Sequence, residues 1–419
     1  MDRRIGFLIP EFPGQTHIFL WREHEALSEL GIDAQFVSTA PPPRAIASHD
    51  WADEARRKTE YLLPFGLGGA LAAMVEILRA GPRRIGQSLA AVFGAEIKSP
   101  VGRLRMLAIL LVAGKLVRLA RHRKWSHIHV HSCADAANVA ALASLLSGIP
   151  YSLTLHGPTL EGYGPNQRQK WKNAAFATVI SKRLFNDIDA KLNGSKPSRI
   201  AIAPMGVDLE QIRRGRPYNP WVPGEPCRIF TCGRLNLVKG HDLLLQTVEI
   251  LRRRDIDVRL QIAGEDEQGG SGYRRILEAL IVEKKLTGCV ELLGAVSEAR
   301  VRQGLEDAHV FVLASLNEGI SVAIMEAMAM EMPVIVTDVG GNSELVDNGV
   351  NAVLVQPQRP EEMAAAIERV LLNDDLSRRL RQASRAKIAA KFHHRISAQA
   401  IAALLDHEEA KVALILRNE

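Results

Sequence analysis

Cysteine is scarce. The 419 residues hold four, Cys133, Cys227, Cys232 and Cys289, and no two have zinc-ribbon spacing. So few thiols exclude a disulfide framework and fit a reducing compartment. Aromatic residues are only 5% of the chain. The core must therefore rest on Leu, Ile, Val and Ala, and the stacking platform of a single-strand nucleic-acid binder is missing. No uninterrupted apolar run approaches the roughly 18 residues of a membrane-crossing helix. The apolar stretch ahead of Pro10 is too short for a secretory leader, so none is expected. Charge of one sign is not dominant either: 53 Lys and Arg stand against 47 Asp and Glu, a net +6. That excess suits an anionic ligand or surface and is too small to establish nucleic-acid binding.

The rest of the composition, 47% hydrophobic and 24% charged, is that of a globular chain long enough for about two domains. Short Val, Ile and Leu runs at 5–9, 34–37, 128–130, 151–155, 177–180 and 200–203 read as strands buried on both faces. Helical stretches separate many of them, which predicts an α/β fold with parallel sheets. Residues 213–227 carry four prolines and two glycines and read as a linker. Alternation then restarts, with strands at 228–231, 258–263, 290–293, 310–314, 333–337 and 352–355. The expected organisation is a first domain over 1–215, a linker over 216–227, a second domain over 228–385 and a helical tail over 386–419. One segment departs from the alternation. Residues 79–124 hold eleven Lys or Arg and one acidic residue, Glu96. A basic helix of this kind can lie on an anionic membrane surface; the plainer reading is a domain helix with solvated charges.

Four constellations bear on chemistry. The strand at 310–314 leads into Ser315, Glu318, Gly319, Ile320 and Ser321, and a helix then carries Glu326. Both carboxylates can approach one crevice at the carboxyl end of a parallel strand, where open α/β sheets bind ligands. Gly319 allows close backbone approach, and the free N–H groups from Ile320 onward suit phosphate. The carboxylates suit sugar diols; a pair of surface glutamates is the alternative. Gly233, Arg234, Lys239 and Gly240 join a strand to a helix and offer an anion a guanidinium fork and a mobile ammonium, without the spacing of a Walker A loop. His156, followed by Gly157 and Pro158, ends another strand. The opening strand runs into Glu11, Gly14, Gln15 and Thr16, a polar turn for a ligand hydroxyl or phosphate, or a tight turn with Thr16 as helix N-cap. His127, His129 and His131 share one strand face, but no ligand set completes a metal site. The triplets Asp187-Ile188-Asp189 and Asp255-Ile256-Asp257 read as surface carboxylates, and no divalent metal is expected.

Taken in order, Gly233-Arg234…Lys239-Gly240, Ile262-Ala263-Gly264-Glu265, Val290…Gly294, Glu318-Gly319…Glu326-Ala327-Met328-Ala329…Pro333…Gly340-Gly341…Glu344 resemble the retaining GT-B glycosyltransferases of family 4. Pro204-Met205-Gly206-Val207-Asp208 is similar to the turn that closes their first domain. The opening, with Glu11, Gln15, Thr16, Phe19 and Arg22-Glu23, resembles enzymes of bacterial exopolysaccharide and colanic-acid assembly. Glu331 stands where the family usually has a glycine and Met205 where it has an asparagine. The resemblance implies two Rossmann-like domains facing a cleft. It implies that Arg234 and Lys239 grip a nucleotide diphosphate, that Glu326 binds the ribose, and that Glu318 holds the donor sugar. The Ile320 and Ser321 amides would meet sugar or phosphate oxygens. Gly233 and Gly264 would line the nucleotide site, Leu293 and Gly294 would flank the base, His156 would reach the sugar, and Gly14, Gln15 and Thr16 would lie near the diphosphate and acceptor.

The expected activity is retaining transfer of a sugar from a UDP- or GDP-linked donor, with no other cofactor, to an acceptor hydroxyl. A lipid-linked glycan of exopolysaccharide biosynthesis fits as acceptor, at the cytoplasmic face of the membrane. A soluble acceptor, an epimerase or phosphorylase on the same fold, and a non-catalytic sugar-nucleotide sensor are the alternatives; no nucleic-acid partner is expected.

Overall fold

A computed structural model of the chain describes residues 3–42, 50–157 and 159–417, with side chains as far as His407. The strands form two parallel sheets. The first contains β1 (Arg3–Glu11), β2 (Ile32–Ala40), β3 (Glu60–Tyr61), β4 (His127–Val130), β5 (Tyr151–Leu155), β6 (Ala177–Val179) and β7 (Ile200–Ile202), in the order β3-β2-β1-β4-β5-β6-β7. The second contains β8 (Cys227–Cys232), β9 (Val258–Ala263), β10 (Val290–Gly294), β11 (Val310–Leu313), β12 (Val334–Thr337) and β13 (Val353–Val355), in the order β10-β9-β8-β11-β12-β13. Both are doubly wound. The order reverses between β1 and β4 in one lobe and between β8 and β11 in the other, and such a reversal opens a crevice at the carboxyl ends of the strands.

Burial follows from the composition. All residues of β4, β5, β11 and β12 are buried, as expected where helices cover both faces of a parallel sheet. Leu, Ile, Val and Ala fill the interior beside a few large rings, Phe7, Phe36, Trp171 and Phe311 among them. The proline-rich linker is not loose. Tyr218 donates to the His309 carbonyl at 2.7 Å and Trp221 is buried, so the segment packs on the second lobe.

After Lys391 the chain crosses back. Val207 bridges His393, and helix Arg395–Arg417 lies against helix Ile18–Glu29 of the first lobe. The hinge therefore has two strands of chain, one near Met205 and one at 392–394. The basic segment divides into helices Leu67–Arg79, Gly81–Phe93 and Pro100–Arg123. The last buries Met106, Ile109, Leu110, Ala113, Leu116 and Val117, an ordinary packed face.

Candidate active site

Two turns from the first lobe and three from the second meet at the crevice. Gln15, Thr16 and His156 line it from one side, and Gly233, Arg234, Lys239, Gly264, Glu318, Gly319, Ile320, Ser321 and Glu326 from the other. Both elements that carry cations start at β8. Asn236 caps the short 3₁₀ turn Leu237–Lys239 by accepting from the Lys239 amide. The lysine side chain then points back under Gly233.

The Lys239 ammonium donates to Glu318 Oε1 at 2.6 Å, and Ser315 Oγ donates to the same oxygen at 2.6 Å. Both ionic partners are largely buried. One carboxylate oxygen is thus fully used, and Oε2 is left for a ligand hydroxyl. Glu326 is held in a similar way: Arg22 Nη1, from the first lobe, donates to Glu326 Oε1 at 3.1 Å, while Arg22 Nη2 donates to Glu298 Oε2 at 3.3 Å. Trp51 Nε1 donates to the other Glu298 oxygen at 2.8 Å. Arg234 is more open, and its guanidinium donates to Glu267 at 2.6 Å.

Two glycines make the close approach possible. A Cβ on Gly319 would lie 2.5 Å from the His156 carbonyl oxygen of the opposite lobe. Gly340 has φ +58°, and a Cβ there would lie 1.7 Å from the Glu318 carbonyl oxygen. A larger residue at 340 would displace the loop that presents Glu318.

Further contacts close the lobes. The Gln15 amide donates to the Glu265 carbonyl at 2.8 Å and accepts from the Glu265 N–H at 3.0 Å. Glu344 accepts from the Lys182 and Arg183 amides at 2.8 and 2.9 Å, capping a first-lobe helix from the second lobe, where a negative charge is favoured by the helix dipole.

Several expected residues sit elsewhere. Gly14, Leu293 and Gly294 do not line the crevice; Ala295 and Val296 stand there after β10. The Gly294 carbonyl instead accepts from the Gly264 N–H at 2.8 Å. Thr16 is not the helix N-cap: His17 occupies that place, and its Nδ1 accepts from the Gly14 N–H. Pro158 lies outside the described residues. Neither Asp-x-Asp triplet lines the crevice. The three strand histidines bond hydroxyls or another ring: His127 and His129 share Ser152 Oγ at 2.7 Å, and His129 also reaches Thr154. Among the described residues no cluster of three or more His, Cys, Asp or Glu suits a metal ion. Arg22, Trp51 and Glu298 are the functional neighbours that periodicity did not reveal, because their contacts cross 247 to 304 positions of sequence.

Comparison with known proteins agrees with this geometry. Residues 221–387 match the model of the glycosyl transferases group 1, and residues 20–214 match the glycosyl transferase 4-like domain. The chain belongs to the glycosyltransferases, with a group 1 second lobe and a 4-like first lobe. This glycosyltransferase is 28% identical to the amylovoran biosynthesis glycosyltransferase AmsK of Erwinia amylovora, over 96% of this chain and 99% of that one. It is also 28% identical to the putative colanic acid biosynthesis glycosyltransferase WcaL of Salmonella typhimurium, over 63% of this chain; the match spans only 64% of the length of WcaL. Among solved structures, Anabaena HepE in complex with UDP and glucose superposes with a TM-score of 0.71 at 17% identity, covering 96% of this chain and 99% of that one. The expected α/β GT-B architecture and glycosyltransferase family are thus found.

Proposed function

We propose that this glycosyltransferase moves a hexose from a nucleotide diphosphate sugar to an acceptor hydroxyl, with retention at the anomeric carbon, in assembly of an exopolysaccharide or other envelope glycan. The observation that carries the reading is the convergence of Lys239, Arg234, Glu318 and Glu326 on one crevice between two facing switch points. A UDP-linked donor is favoured over a GDP-linked one by the likeness to HepE, whose structure holds UDP and glucose. The likeness to AmsK and WcaL favours a glycan-chain acceptor.

The chemical task is to stabilise a departing diphosphate while an oxocarbenium-like centre forms. Arg234, Lys239 and the amides at Ile320 and Ser321, which open helix Val322–Ala329, are aimed at that developing charge. Glu318 keeps one oxygen for a sugar hydroxyl, and Glu326, held by Arg22 at the crevice wall, is the carboxylate set for the ribose. His156 faces the sugar from the other lobe. Retention follows from attack on the face that the leaving group departs from, a leaving-phosphate oxygen taking the acceptor proton. A double displacement would need a free nucleophile on the opposite face. The crevice carboxylates Glu298, Glu318 and Glu326 are instead bound to Arg22 and Lys239. Closure of the lobes excludes water and limits hydrolysis.

The acceptor we favour is lipid-linked, reached at an anionic membrane face. Helices Leu67–Arg79, Gly81–Phe93 and Pro100–Arg123 leave Leu67, Leu71, Leu78, Phe93, Val101 and Leu104 at least 60% exposed, beside exposed arginines such as Arg79 and Arg105. No described helix is long and apolar enough to cross a membrane, so the contact would be peripheral.

The test is a thermal-shift panel of UDP, GDP and their sugars, followed by product analysis with a labelled donor. A binding donor raises the unfolding temperature, and label appears on an acceptor glycan with its anomeric configuration kept. A changed free sugar would indicate an epimerase, and dependence on free phosphate a phosphorylase.

A further inference from the structure

Helix Ile18–Glu29 carries Arg22 and Glu23 side by side, both with 2% exposure, and burying two ionisable groups together is costly unless each has a partner. Their partners lie in opposite directions. Arg22 reaches across the crevice to Glu326 and Glu298. Glu23 points into its own lobe, with Oε2 3.2 Å from His131 Nε2; both atoms are buried and not aligned as a hydrogen bond, so each is the nearest polar group available to the other and a small rotation would join them. His131 Nδ1 lies 3.0 Å from His156 Nε2, and the two rings stack at 5.3 Å. His156 Nδ1 is buried and has no partner, although the residue lines the crevice.

We infer that Arg22-Glu23 is a pair of positioning residues that sets both hydroxyl-directed groups of the crevice, Arg22 fixing the Glu326 carboxylate and Glu23 selecting, through His131, the tautomer that His156 presents. The inference rests on the nucleotide-sugar reading for its ligand, but the histidine part can be measured without one.

The proton count has two consistent forms. With Glu23 protonated, its O–H donates to His131 Nε2, His131 Nδ1–H donates to His156 Nε2, and the single proton of neutral His156 sits on Nδ1 as a donor. With Glu23 ionised, His131 Nε2–H donates to it, His156 Nε2–H donates to His131 Nδ1, and His156 Nδ1 is a bare acceptor. The released proton goes to solvent. Which nitrogen carries the proton is fixed by the partner of the other. Burial pushes Glu23 up to about 7, opposed by Ser397 of helix Arg395–Arg417. Burial also holds His131 well below its ordinary value and His156 down to about 3, so both rings stay neutral. Among the described residues, His129 on β4, His17 ahead of the helix and Tyr163, whose hydroxyl meets the His156 backbone, also face this relay.

The experiment uses the full chain, histidine-¹⁵N labelled, as wild type, Glu23→Gln and Arg22→Met, with Arg22→Lys as the conservative variant. UDP is the probe for affinity, and whichever of UDP-glucose and GDP-mannose stabilises the wild type is the probe for turnover. In the wild type the His156 ring signals should exchange their protonated and unprotonated nitrogens between pH 6 and 8. In Glu23→Gln the exchange should vanish while UDP affinity stays within twofold. Arg22→Met should weaken UDP about tenfold with the His156 tautomer unchanged, and Arg22→Lys should recover part of that loss. An unchanged His156 titration in Glu23→Gln, or wild-type UDP affinity in Arg22→Met, overturns the corresponding half. Wild-type protein that binds no nucleotide would refute the nucleotide-sugar reading instead, and the ligand-free ¹⁵N result would still decide the Glu23 half.

Discussion

At the scale of single residues, the crevice is a set of charges already paired before any ligand arrives. Lys239 and Glu318 hold each other at 2.6 Å, with little exposure of either. Removing one member leaves the other buried and uncompensated, which costs more than the pair contributes. Lys239→Ala should therefore lower transfer by about a hundredfold or more, the scale of one lost electrostatic contact to a developing charge. The variant should also unfold at lower denaturant concentration. Turnover within a few-fold of the wild type would remove Lys239 from the diphosphate site. Glu331 gives a contrasting case. It sits just beyond helix Val322–Ala329 with φ +52°, in the left-handed region where glycine is at ease and other residues are strained. Its contact with Arg385 is a long one, 4.0 Å. Glu331→Gly should raise stability by roughly 0.5–1 kcal/mol, read from chemical denaturation, and leave turnover unchanged.

At the scale of elements, a polar face runs along β4 and β5 and one step past each, built from His127, His129 and His131 on one side and Ser152, Thr154 and the half-buried His156 on the other. Burial lowers His127, His129 and His156 to about 3, against an unfolded value near 6.5. Their folded forms stay neutral while the unfolded chain takes up protons. The stability they contribute is complete above about pH 6.5 and is lost as pH falls toward 3, by about 1.4 kcal/mol per pH unit for each ring. Glu23 has the opposite sign. Its raised value means that the native state binds the extra proton between about 4.5 and 7, so its contribution is complete at acid pH and lost as pH rises through 7. Denaturation midpoints should fall steadily from pH 6.5 to 4.5, and Glu23→Gln should steepen that fall by removing the opposing term. A flat profile over this range would mean that the ladder is solvated. Alternation along β4 was legible in the sequence, since period two puts 127, 129 and 131 on one face. The Ser and Thr partners were not, because they lie on a neighbouring strand that only the parallel register aligns with β4.

At the scale of the whole molecule, most of the fold was legible because buried parallel strands read as apolar runs; only β3, two residues long, left no such signal. The candidate crevice was legible where each turn follows a strand, as at Gly233 and Glu318. It was not legible where the two lobes meet, since the register of one sheet against the other is written in no local pattern. Leu293 and Gly294 illustrate this: β10 ends as expected, but Ala295 and Val296 reach the crevice. The basic segment was legible in charge and misleading in form. The long helix Pro100–Arg123 turns its apolar face inward, and Lys115 is spent on the Tyr61 and Leu62 carbonyls at 2.9 and 2.7 Å. What reaches the surface is a combination: Leu67 at 95%, Val101 at 78% and Leu104 at 69% exposure, on helices that pack against each other. Exposed apolar groups beside arginines give a surface both a partition energy and a charge preference, and an anionic bilayer answers both. The full chain should sediment with vesicles containing phosphatidylglycerol and much less with phosphatidylcholine alone, and added salt should weaken it without abolishing it. The triple variant Leu67→Glu, Val101→Glu, Leu104→Glu should lose at least roughly tenfold in vesicle affinity, since each insertion is worth on the order of 1 kcal/mol. UDP binding and unfolding temperature should stay at wild-type values, because none of the three packs in the core. Equal sedimentation of the variant and the wild type would assign this ridge to something other than lipid and detach the membrane from the choice of acceptor.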